Sequence, residues 1–331
     1  MNPTTANYDE PWQEALSEYF EAFLCFFFSE VHQLIDWTKN PESLEKELKR
    51  ITASAKTKKR FADKLYKVWL LSGEEVWISQ KVTIKRNDLN EIIGYSGIAR
   101  DITMIRNLEV EKSQRQDKIK KYNNALSKLS TTSFAIFDSI TPILKVIFEN
   151  VSKASGIQRI SFWNYYPDRI ECQDLYNLKT NTHSNHLILY KKELPIYFEA
   201  IEREQMIIAS DVKRQKETSE FIGNYFNEHN IKSLLDYPVF INGKLYGIIC
   251  FEATDTIRYW DNEDINFTRS VSEIISLGIE TLKRKKIEDT LQNKSNVLTA
   301  ITKISEKILA NSSVFNVFDE ILSFLLIISI S

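Results

Sequence analysis

The chain has 331 residues, a length that predicts roughly two domains. Apolar residues make up 43% and charged residues 27%, values that are typical of a globular protein. The net charge of −2 provides no whole-chain field that would attract nucleic acid or an anionic membrane. None of the eight glycines forms a Gly-x-Gly arrangement, which argues against the glycine-rich loops that hold nucleotide phosphates.

Cysteines and apolar runs predict the compartment. Three cysteines stand far apart in the chain: Cys25, Cys172 and Cys250. Without a Cys-x-x-Cys pair, they indicate a reducing compartment and no cysteine-based zinc site. The polar start, Met1 to Glu10, is unlike a signal peptide, and the apolar runs 23–28 and 324–330 are too short to cross a bilayer. We therefore expect a cytoplasmic protein without a membrane partner.

The first hundred residues predict helices followed by strands. A helix is expected over Glu10–Phe28, with Pro11 in its first turn, and a second over Glu42–Ile51. Three runs with strand character follow: Lys64–Leu71, Glu75–Ile84 and Glu91–Ile102. From Met104 to Leu129 the chain lacks Gly and Pro and is densely charged, which predicts a long connecting helix. Both a coiled coil with a second chain and a solvated single helix remain open, because Lys112–Lys118 is poor in apolar residues.

The middle of the chain predicts an α+β domain. The expected elements, in order, are a helix Asp138–Lys153, strands Gln158–Tyr166 and Ile170–Leu178, a polar loop Lys179–Leu187, a helix Glu193–Gln205, a strand Met206–Ser210, a helix Glu217–Asn230, and strands Ser233–Ile241 and Lys244–Glu252. Asn242-Gly243 between the last two strands is a strong hairpin signal. The last strand is apolar on both faces, with Leu245, Ile249 and Phe251 predicted on one face and Tyr246, Ile248 and Cys250 on the other, which indicates a central position in a covered sheet.

A capped helix closes this domain. Asp261, with Asp264 three residues later, predicts an N-cap for a helix that starts at Asn262 and continues into the charged stretch Lys283–Asp289. Helices therefore leave the domain at both ends, an arrangement suited to passing on a conformational change.

A short repeat follows the closing helix. Ala125–Ser130 is similar to Ala300–Ser305, which predicts that residues 300–331 begin a second, truncated copy of the domain. A simple amphipathic tail helix is the alternative.

The middle segments resemble a GAF domain of bacterial multidomain sensors, over about residues 129–280. The matching stretches include Ile160–Trp163, Glu171–Tyr176, Ile207–Asp211, Leu234–Pro238 and Gly243–Glu252. The resemblance implies an antiparallel sheet backed by the terminal helices, with a small-molecule pocket on its other face. It also implies that the domain passes its signal to a histidine kinase or diguanylate cyclase module. We expect such an output module on another chain.

Two further resemblances concern the first hundred residues. Ile93–Thr103 resembles the closing strands of a PAS domain, assigned to residues 79–103. Residues 8–78 resemble transposase-like PD-(D/E)XK nucleases, in which Asp63 would match the first metal-binding acid and Glu47 a helical acid. No carboxylate follows Trp77 where the second acid is expected, and a Mg²⁺ site needs such oxygen ligands. A metal-dependent nuclease is therefore kept only as an alternative.

Covalent and metal chemistry are disfavoured. His183 and His186 form only a His-x-x-His pair, and Cys residues are often buried for packing alone. No Cys is followed by a His, the pair that would suit covalent attachment of a bilin. Ser184, His183 and Asp211 supply the residue types of a catalytic triad, but no nucleophile elbow surrounds Ser184. We expect no catalytic residue, no metal and no identified cofactor.

The predicted ligand-binding residues combine an apolar wall with a few polar groups, the usual composition of a small-molecule site. They are Trp163, Cys172, Tyr176, His183, Tyr197, Asp211, Phe221, Tyr225, Asp236 and Cys250. Asp236 is the most informative, because a carboxylate on a covered strand needs either a backbone donor or a polar pocket. Core packing of the aromatic residues, and a turn-capping role for Asp211, are the alternatives.

The expected protein is a sensor that binds a small ligand or relays a conformational signal. Its segments are 1–78, 79–103, a helical linker 104–128, the GAF domain 129–280, a second linker 281–299, and 300–331. A homodimer through the two linkers is expected, and no nucleic acid partner. A purely structural dimerisation module is a further alternative.

Overall fold

The computed structural model describes residues 19–43, 62–89, 91–203, 206–223 and 225–310. The chain divides into two compact units, Met1–Gln116 and Asp117–Ser331. Among the described residues, no helix combines the length and the apolar character that crossing a membrane would require.

In the described part of the first unit, a short helix packs on a four-stranded antiparallel sheet. Its described elements are helices α1 (Phe20–Phe27) and α2 (Ser29–His32) and strands β1 (Glu42–Ser43), β2 (Ala62–Trp69), β3 (Glu75–Arg86) and β4 (Ile92–Asp101), in the sheet order β1-β2-β3-β4. Phe20 and Leu24 of α1 are buried against Tyr66, Val68 and Ile78 of the sheet. The Phe20 and Tyr66 rings stack with centroids 3.7 Å apart. Apolar burial therefore fixes α1 on this sheet.

The three predicted strands of this unit are confirmed, but the second predicted helix is wrong at its start. Glu42 and Ser43 pair with Lys67 and Tyr66 as a strand, because the backbone here completes the edge of β2. The predicted boundary between residues 78 and 79 falls within β3, which pairs with β2 on one side and β4 on the other.

The side chains of the two acids in the nuclease alternative are not among those that the structure describes. Glu47 lies outside the described residues, and only the backbone of Asp63, within β2, is described.

The second unit contains a larger antiparallel sheet. Its described elements are α3 (Thr103–Ser130, which begins in the first unit), a 3₁₀ turn Phe134–Ile136, α4 (Ile140–Ser155), β5 (Arg159–Tyr166), β6 (Arg169–Asn177), β7 (Thr182–Ser184), β8 (Ile188–Tyr190), α5 (Pro195–Glu202), β9 (Ile207–Ala209), a 3₁₀ turn Lys216–Phe221, α6 (Tyr225–Glu228), β10 (Ile231–Ile241), β11 (Lys244–Thr254) and α7 (Asn262–Ala310). The described strands follow the order β7-β6-β5-β11-β10-β9, with β8 also paired to β6.

Each face of this sheet carries its own apolar core. The outer core packs the end of α3, α4 and α7 against one face, with Leu129, Ile147, Phe162, Phe251 and Ile275 fully buried. The inner core packs α5, the turn Lys216–Phe221 and α6 against the other face. A sheet covered on both faces accounts for the apolar character of β5 and β11 on both sides.

Two local sequence signals are confirmed in detail. Asn242 and Gly243 have φ values of 50° and 70°, as a two-residue hairpin turn requires. At the start of α7, the Asp264 amide donates to Asp261 Oδ1 at 3.0 Å, and the Asp261 amide donates to Asp264 Oδ2 at 3.4 Å. These reciprocal bonds fix the first turn of α7.

Other predictions for this unit need correction. The predicted loop Lys179–Leu187 contains strand β7, because the edge of β6 is available for pairing. The predicted helix Glu217–Asn230 is instead a 3₁₀ turn followed by the four-residue helix α6.

The faces of β11 also differ from a strict alternation. Val239 pairs with Gly247 and Phe240 with Leu245, so Tyr246 forms a bulge and reaches the outer core, while Leu245 packs against the inner core. An inserted residue of this kind reverses the side-chain alternation beyond it.

The second linker shows no break at its predicted end. Helix α7 is 49 residues long and passes through position 300 without interruption. Residues 311–331, which include most of the predicted second copy, lie outside the described residues.

Candidate functional site

Seven of the ten predicted ligand-binding residues meet on the inner face of the sheet. We call these seven residues the inner cluster: Trp163, Cys172, Tyr197, Phe221, Tyr225, Asp236 and Cys250. All are buried, and the Tyr197 and Phe221 rings meet edge to face with centroids 4.9 Å apart. The sheet supplies four of these residues, and the short elements above it supply Tyr197, Phe221 and Tyr225.

Asp236 is the polar centre of the inner cluster. Its side chain is on β10, 1% exposed, and its Oδ2 accepts a hydrogen bond from the Tyr197 hydroxyl at 2.7 Å. Its Oδ1 is buried and has no hydrogen-bond partner. Burial raises the pKa of this carboxyl to about 7, although the Cys250 thiol and the Tyr197 hydroxyl favour the charged form. Asp236 is thus held by a side chain of α5 rather than by a backbone donor.

A second carboxylate links the two elements that lie over the inner cluster, the 3₁₀ turn Lys216–Phe221 and α5. Glu220, in the 3₁₀ turn, accepts hydrogen bonds from the backbone amides of Ile196 and Tyr197 at 3.1 and 3.0 Å. These amides belong to the first turn of α5, where N–H groups lack partners within the helix. The turn and α5 are therefore linked as one cover, which carries both Phe221 and Tyr197.

A buried ion pair, which sequence reasoning missed, lies at the edge of the inner cluster. Arg159 Nε donates to Glu252 Oε2 at 2.7 Å, and Arg159 Nη2 donates to the Tyr225 hydroxyl at 3.2 Å. Both charged side chains are buried. The available signal was a charge at the start of apolar β5 and another at the end of apolar β11, because buried charges on covered strands need partners.

The two cysteines of the inner cluster are unsuited to nucleophilic chemistry. Burial raises the pKa of the Cys172 thiol to about 12, with a further contribution from Asp174. Burial also raises the pKa of the Cys250 thiol well above its usual range, and Asp236 adds to this. Thiols that stay protonated are weak nucleophiles and weak metal ligands.

Three predicted ligand residues lie elsewhere. Tyr176 belongs to the outer core, and His183 pairs with it across β6 and β7 on the same face. His183 Nδ1 lies 2.7 Å from Asp174 Oδ2, so the imidazole is held by a buried carboxylate. Asp211 accepts a hydrogen bond from the Lys213 amide at 3.1 Å, which is the turn-capping role given as the alternative.

The histidines do not complete a metal site within the part of the chain that the structure describes. No group of three or more His, Cys, Asp or Glu residues is placed there to hold a metal ion.

A polar junction joins α3 to α7 beside the domain. The Tyr122 hydroxyl of α3 donates to Asp264 Oδ1 of α7 at 2.6 Å, and Arg258 Nη2 donates to the same oxygen at 2.9 Å. Lys118 Nζ lies 2.9 Å from Asp264 Oδ2 and 2.7 Å from Asp261 Oδ2. We call Lys118, Tyr122, Arg258, Asp261 and Asp264 the helix junction.

Electrostatics stabilise the helix junction as an ionised network. Burial alone would raise the pKa of the Asp264 carboxyl, but the Tyr122 hydrogen bond and the charges of Arg258 and Lys118 outweigh burial and lower it below 3.8. The Tyr122 ring also stacks on Phe267 of α7, with centroids 3.9 Å apart. Sequence reasoning identified Asp264 only as a cap residue.

Comparison with known proteins connects these features to one family. The GAF domain model matches residues 139–279. The methanogenesis regulatory histidine kinase FilI of Methanothrix harundinacea is 23% identical over 233 residues, which cover 67% of this chain and 25% of that kinase. The chain thus spans about a quarter of the length of this curated relative.

Similar solved structures include two GAF domains. That of the Acinetobacter phosphoenolpyruvate-protein phosphotransferase has 14% identity and a TM-score of 0.38, covering 49% of this chain and 91% of that one. The phycocyanobilin-bound GAF domain of a cyanobacterial phytochrome has 13% identity and a TM-score of 0.42, covering 48% of this chain and 93% of that one.

The matched segment begins at the N-cap of α4 and ends within α7, so it contains the whole large sheet and the inner cluster. This agrees with the range predicted from the sequence. Residues 139–279 of this chain are a GAF domain.

Proposed function

We propose that this chain is the sensory part of a signal-transduction protein. In this proposal the inner cluster binds a small ligand, and the resulting change leaves the GAF domain through α3 and α7. The observation that carries the proposal is a continuous chain of contacts from the inner face of the sheet to the helix junction.

The connection runs through the segment between β11 and α7. Trp260 Nε1 donates to the carbonyl of Ala209 in β9 at 3.3 Å, and the Arg258 amide donates to Ser233 Oγ of β10 at 2.7 Å. Ala209 belongs to the inner core, and β9 pairs with β10 at Asp236. Arg258 also binds Tyr122 and Asp264 in the helix junction, so a shift of β9 or β10 would be transmitted to both helices.

Hydrogen exchange of the full chain tests this relay. Tyr197→Phe removes the hydroxyl that binds Asp236 and keeps the ring, so it perturbs the inner cluster with little loss of packing. We expect faster amide exchange in segments 118–126 and 258–268 as well as in α5. Tyr190→Phe, at a more exposed ring of β8, is the control. A change confined to α5 and β10 would contradict the relay.

We also propose that the chain forms a homodimer through its long helices. Exposed apolar residues recur on α7 at multiples of seven residues, with Leu277, Leu291 and Leu298 on one line and Ile287 and Ile301 on a second. Arg284 and Lys294 occupy the intervening positions of these two lines. A stripe of this period is the signature of pairing between helices. An open groove beside it, lined by Leu126 of α3 and Ile274 and Leu277 of α7, continues the apolar surface.

Cysteine cross-linking tests this pairing. In a Cys25→Ser background, Leu291→Cys and Leu298→Cys should each form a disulfide with the same position of a second copy if the helices are parallel. Asn293→Cys, on another face of α7, is the matched control and should not. A monomer in light scattering, or equal cross-linking of all three variants, would refute the homodimer.

The output of the sensor is proposed from the relative alone. Because FilI is named as a regulatory histidine kinase, we propose a kinase module as the output, with a cyclase as the alternative. No observation favours the nuclease alternative, since a carboxylate is absent from the sequence immediately after Trp77.

The purely structural alternative makes a different prediction about the same experiment. A module that only dimerises needs its inner cluster for folding alone. Its helix junction would therefore exchange at the same rate in the parent chain and in Tyr197→Phe.

A further inference from the structure

We propose that the ligand of the inner cluster is a small organic cation that bears an N–H group, such as a protonated amine or amidine. Its N–H donates to Oδ1 of Asp236. This inference rests on the ligand-binding part of the proposed function and specifies the chemistry of that ligand.

Asp236 has a buried hydrogen-bond acceptor that is not used. A carboxylate has acceptor sites on both oxygens, yet Oδ2 accepts from Tyr197 at 2.7 Å while the buried Oδ1 has no partner. A buried polar atom without a partner is costly and rare in native proteins. Cys250, opposite Asp236 on the adjacent strand, offers this carboxyl only a weak thiol donor, so Oδ1 has no N–H or O–H donor among the described residues.

The charges on the inner face of the sheet are not balanced at Asp236. The groups near Asp236 are the Tyr197 hydroxyl, the Cys250 thiol and the Glu252 carboxylate. Glu252 is neutralised by Arg159 at 2.7 Å. Among the described residues of the inner face, Asp236 lacks a cation of its own, and a ligand that supplies one would complete the set.

Aromatic rings form much of the inner cluster around Asp236. The rings of Tyr197, Phe221 and Tyr225 lie in sequence, with centroids 4.9 and 6.2 Å apart. Aromatic rings favour cations at their faces, and they offer little to an anion. Two of these rings, those of Tyr197 and Phe221, belong to the cover held by Glu220, so the cover places aromatic surface beside the Asp236 carboxyl.

Small cations of graded size test the inference on the full chain. The probes are methylammonium, guanidinium and benzylammonium chlorides, measured by thermal unfolding and by calorimetry. Benzyl alcohol supplies the ring without the charge, and tetramethylammonium supplies the charge without an N–H. The variant is Asp236→Asn, and Asp168→Asn, an exposed carboxylate on the β5–β6 turn, is the matched control.

We expect at least one N–H cation to raise the Tm of the parent chain and of Asp168→Asn. Affinity should fall about tenfold or more in Asp236→Asn, since a hydrogen bond to a charged group is lost. Because the pKa of Asp236 is about 7, binding below that pH should release a proton, and affinity should rise between pH 6 and pH 8.

Three results would overturn the inference. They are equal stabilisation of the parent chain and Asp236→Asn, tetramethylammonium or benzyl alcohol binding as well as benzylammonium, and no response to any N–H cation. The pH dependence of the parent chain needs no variant, so the test survives if Asp236→Asn misfolds.

The two proposals fail in different ways. If a cation binds through Asp236 but exchange at the helix junction stays constant, the relay fails and the ligand class stands. If no cation binds while Tyr197→Phe still alters the junction, the ligand class fails and the relay stands.

Discussion

Replacing Asp236 with asparagine should make the domain more stable at neutral pH. The change keeps the shape of the side chain and leaves an acceptor for the Tyr197 hydroxyl, but it removes the buried charge. Asp236 is 1% exposed, and only one of its oxygens has a hydrogen-bond partner. The charged form is therefore the state that burial penalises.

The magnitude follows from the pKa. Burial raises the pKa of Asp236 from 3.8 to about 7, and this difference corresponds to roughly 4 kcal/mol. Since the folded pKa lies above the unfolded one, the stability that this group contributes is complete below about pH 4 and is lost as the pH rises towards 7. Relaxation around a buried charge reduces such penalties, so we expect roughly 2 to 4 kcal/mol.

Urea unfolding at pH 5, 6, 7 and 8 measures the effect. The difference in unfolding free energy between Asp236→Asn and the parent chain should grow with pH and level off above about pH 7. Every other titrating group contributes equally to both proteins and cancels in the difference. A difference that is the same at pH 5 and pH 8 would refute the reasoning, because it would show that Asp236 does not change its protonation on folding.

Two further substitutions test the sheet and the helix junction. A Cβ at Gly247 would lie 2.5 Å from both an aromatic carbon and a backbone carbonyl oxygen of β5, so Gly247→Ala should cost about 3 kcal/mol in urea unfolding. Gly223→Ala, where a Cβ meets nothing within 4 Å, is its control, and equal losses would contradict the packing. Tyr122→Phe removes the hydrogen bond to ionised Asp264 and should cost about 2 kcal/mol, whereas Tyr259→Phe, at an exposed ring nearby, should cost almost nothing. Full stability in Tyr122→Phe would show that the junction does not hold the two helices.

Most of the GAF fold could be predicted from the sequence because its signals are local. The Asn242-Gly243 turn, the Asp261 cap and the apolar strands each depend on residues that are neighbours in the chain. The errors arose where tertiary packing overrides local preference. Strand β7 forms only because β6 offers an edge, and the segment Glu217–Asn230 is divided between two short elements.

The inner cluster was predictable in composition but only partly in geometry. Apolar alternation placed Asp236 on a covered strand, whereas its partner Tyr197 is 39 positions earlier in the chain and on a helix. Tyr176 was assigned to the ligand site, yet the bulge between Phe162 and Trp163 helps to place it on the outer face. The inserted residue, Gln173 of β6, cannot be recognised from a side-chain pattern alone. The pairs Arg159–Glu252 and Tyr122–Asp264 join residues that are 93 and 142 positions apart, which no local pattern reveals.

Because α7 is long, a small change of its tilt becomes a large displacement at its far end. At about 1.5 Å per residue, a continuous helix of 49 residues extends about 73 Å. The helix junction holds the first turn of α7, and the helix stays packed in the outer core as far as Leu282. A tilt of about one degree at the first turn would displace the far end by about 1.3 Å if the helix stays straight. A small hydrogen-bond rearrangement at the junction, with a slight adjustment of the packed part of α7, would thus become a larger displacement at the far end of the helix.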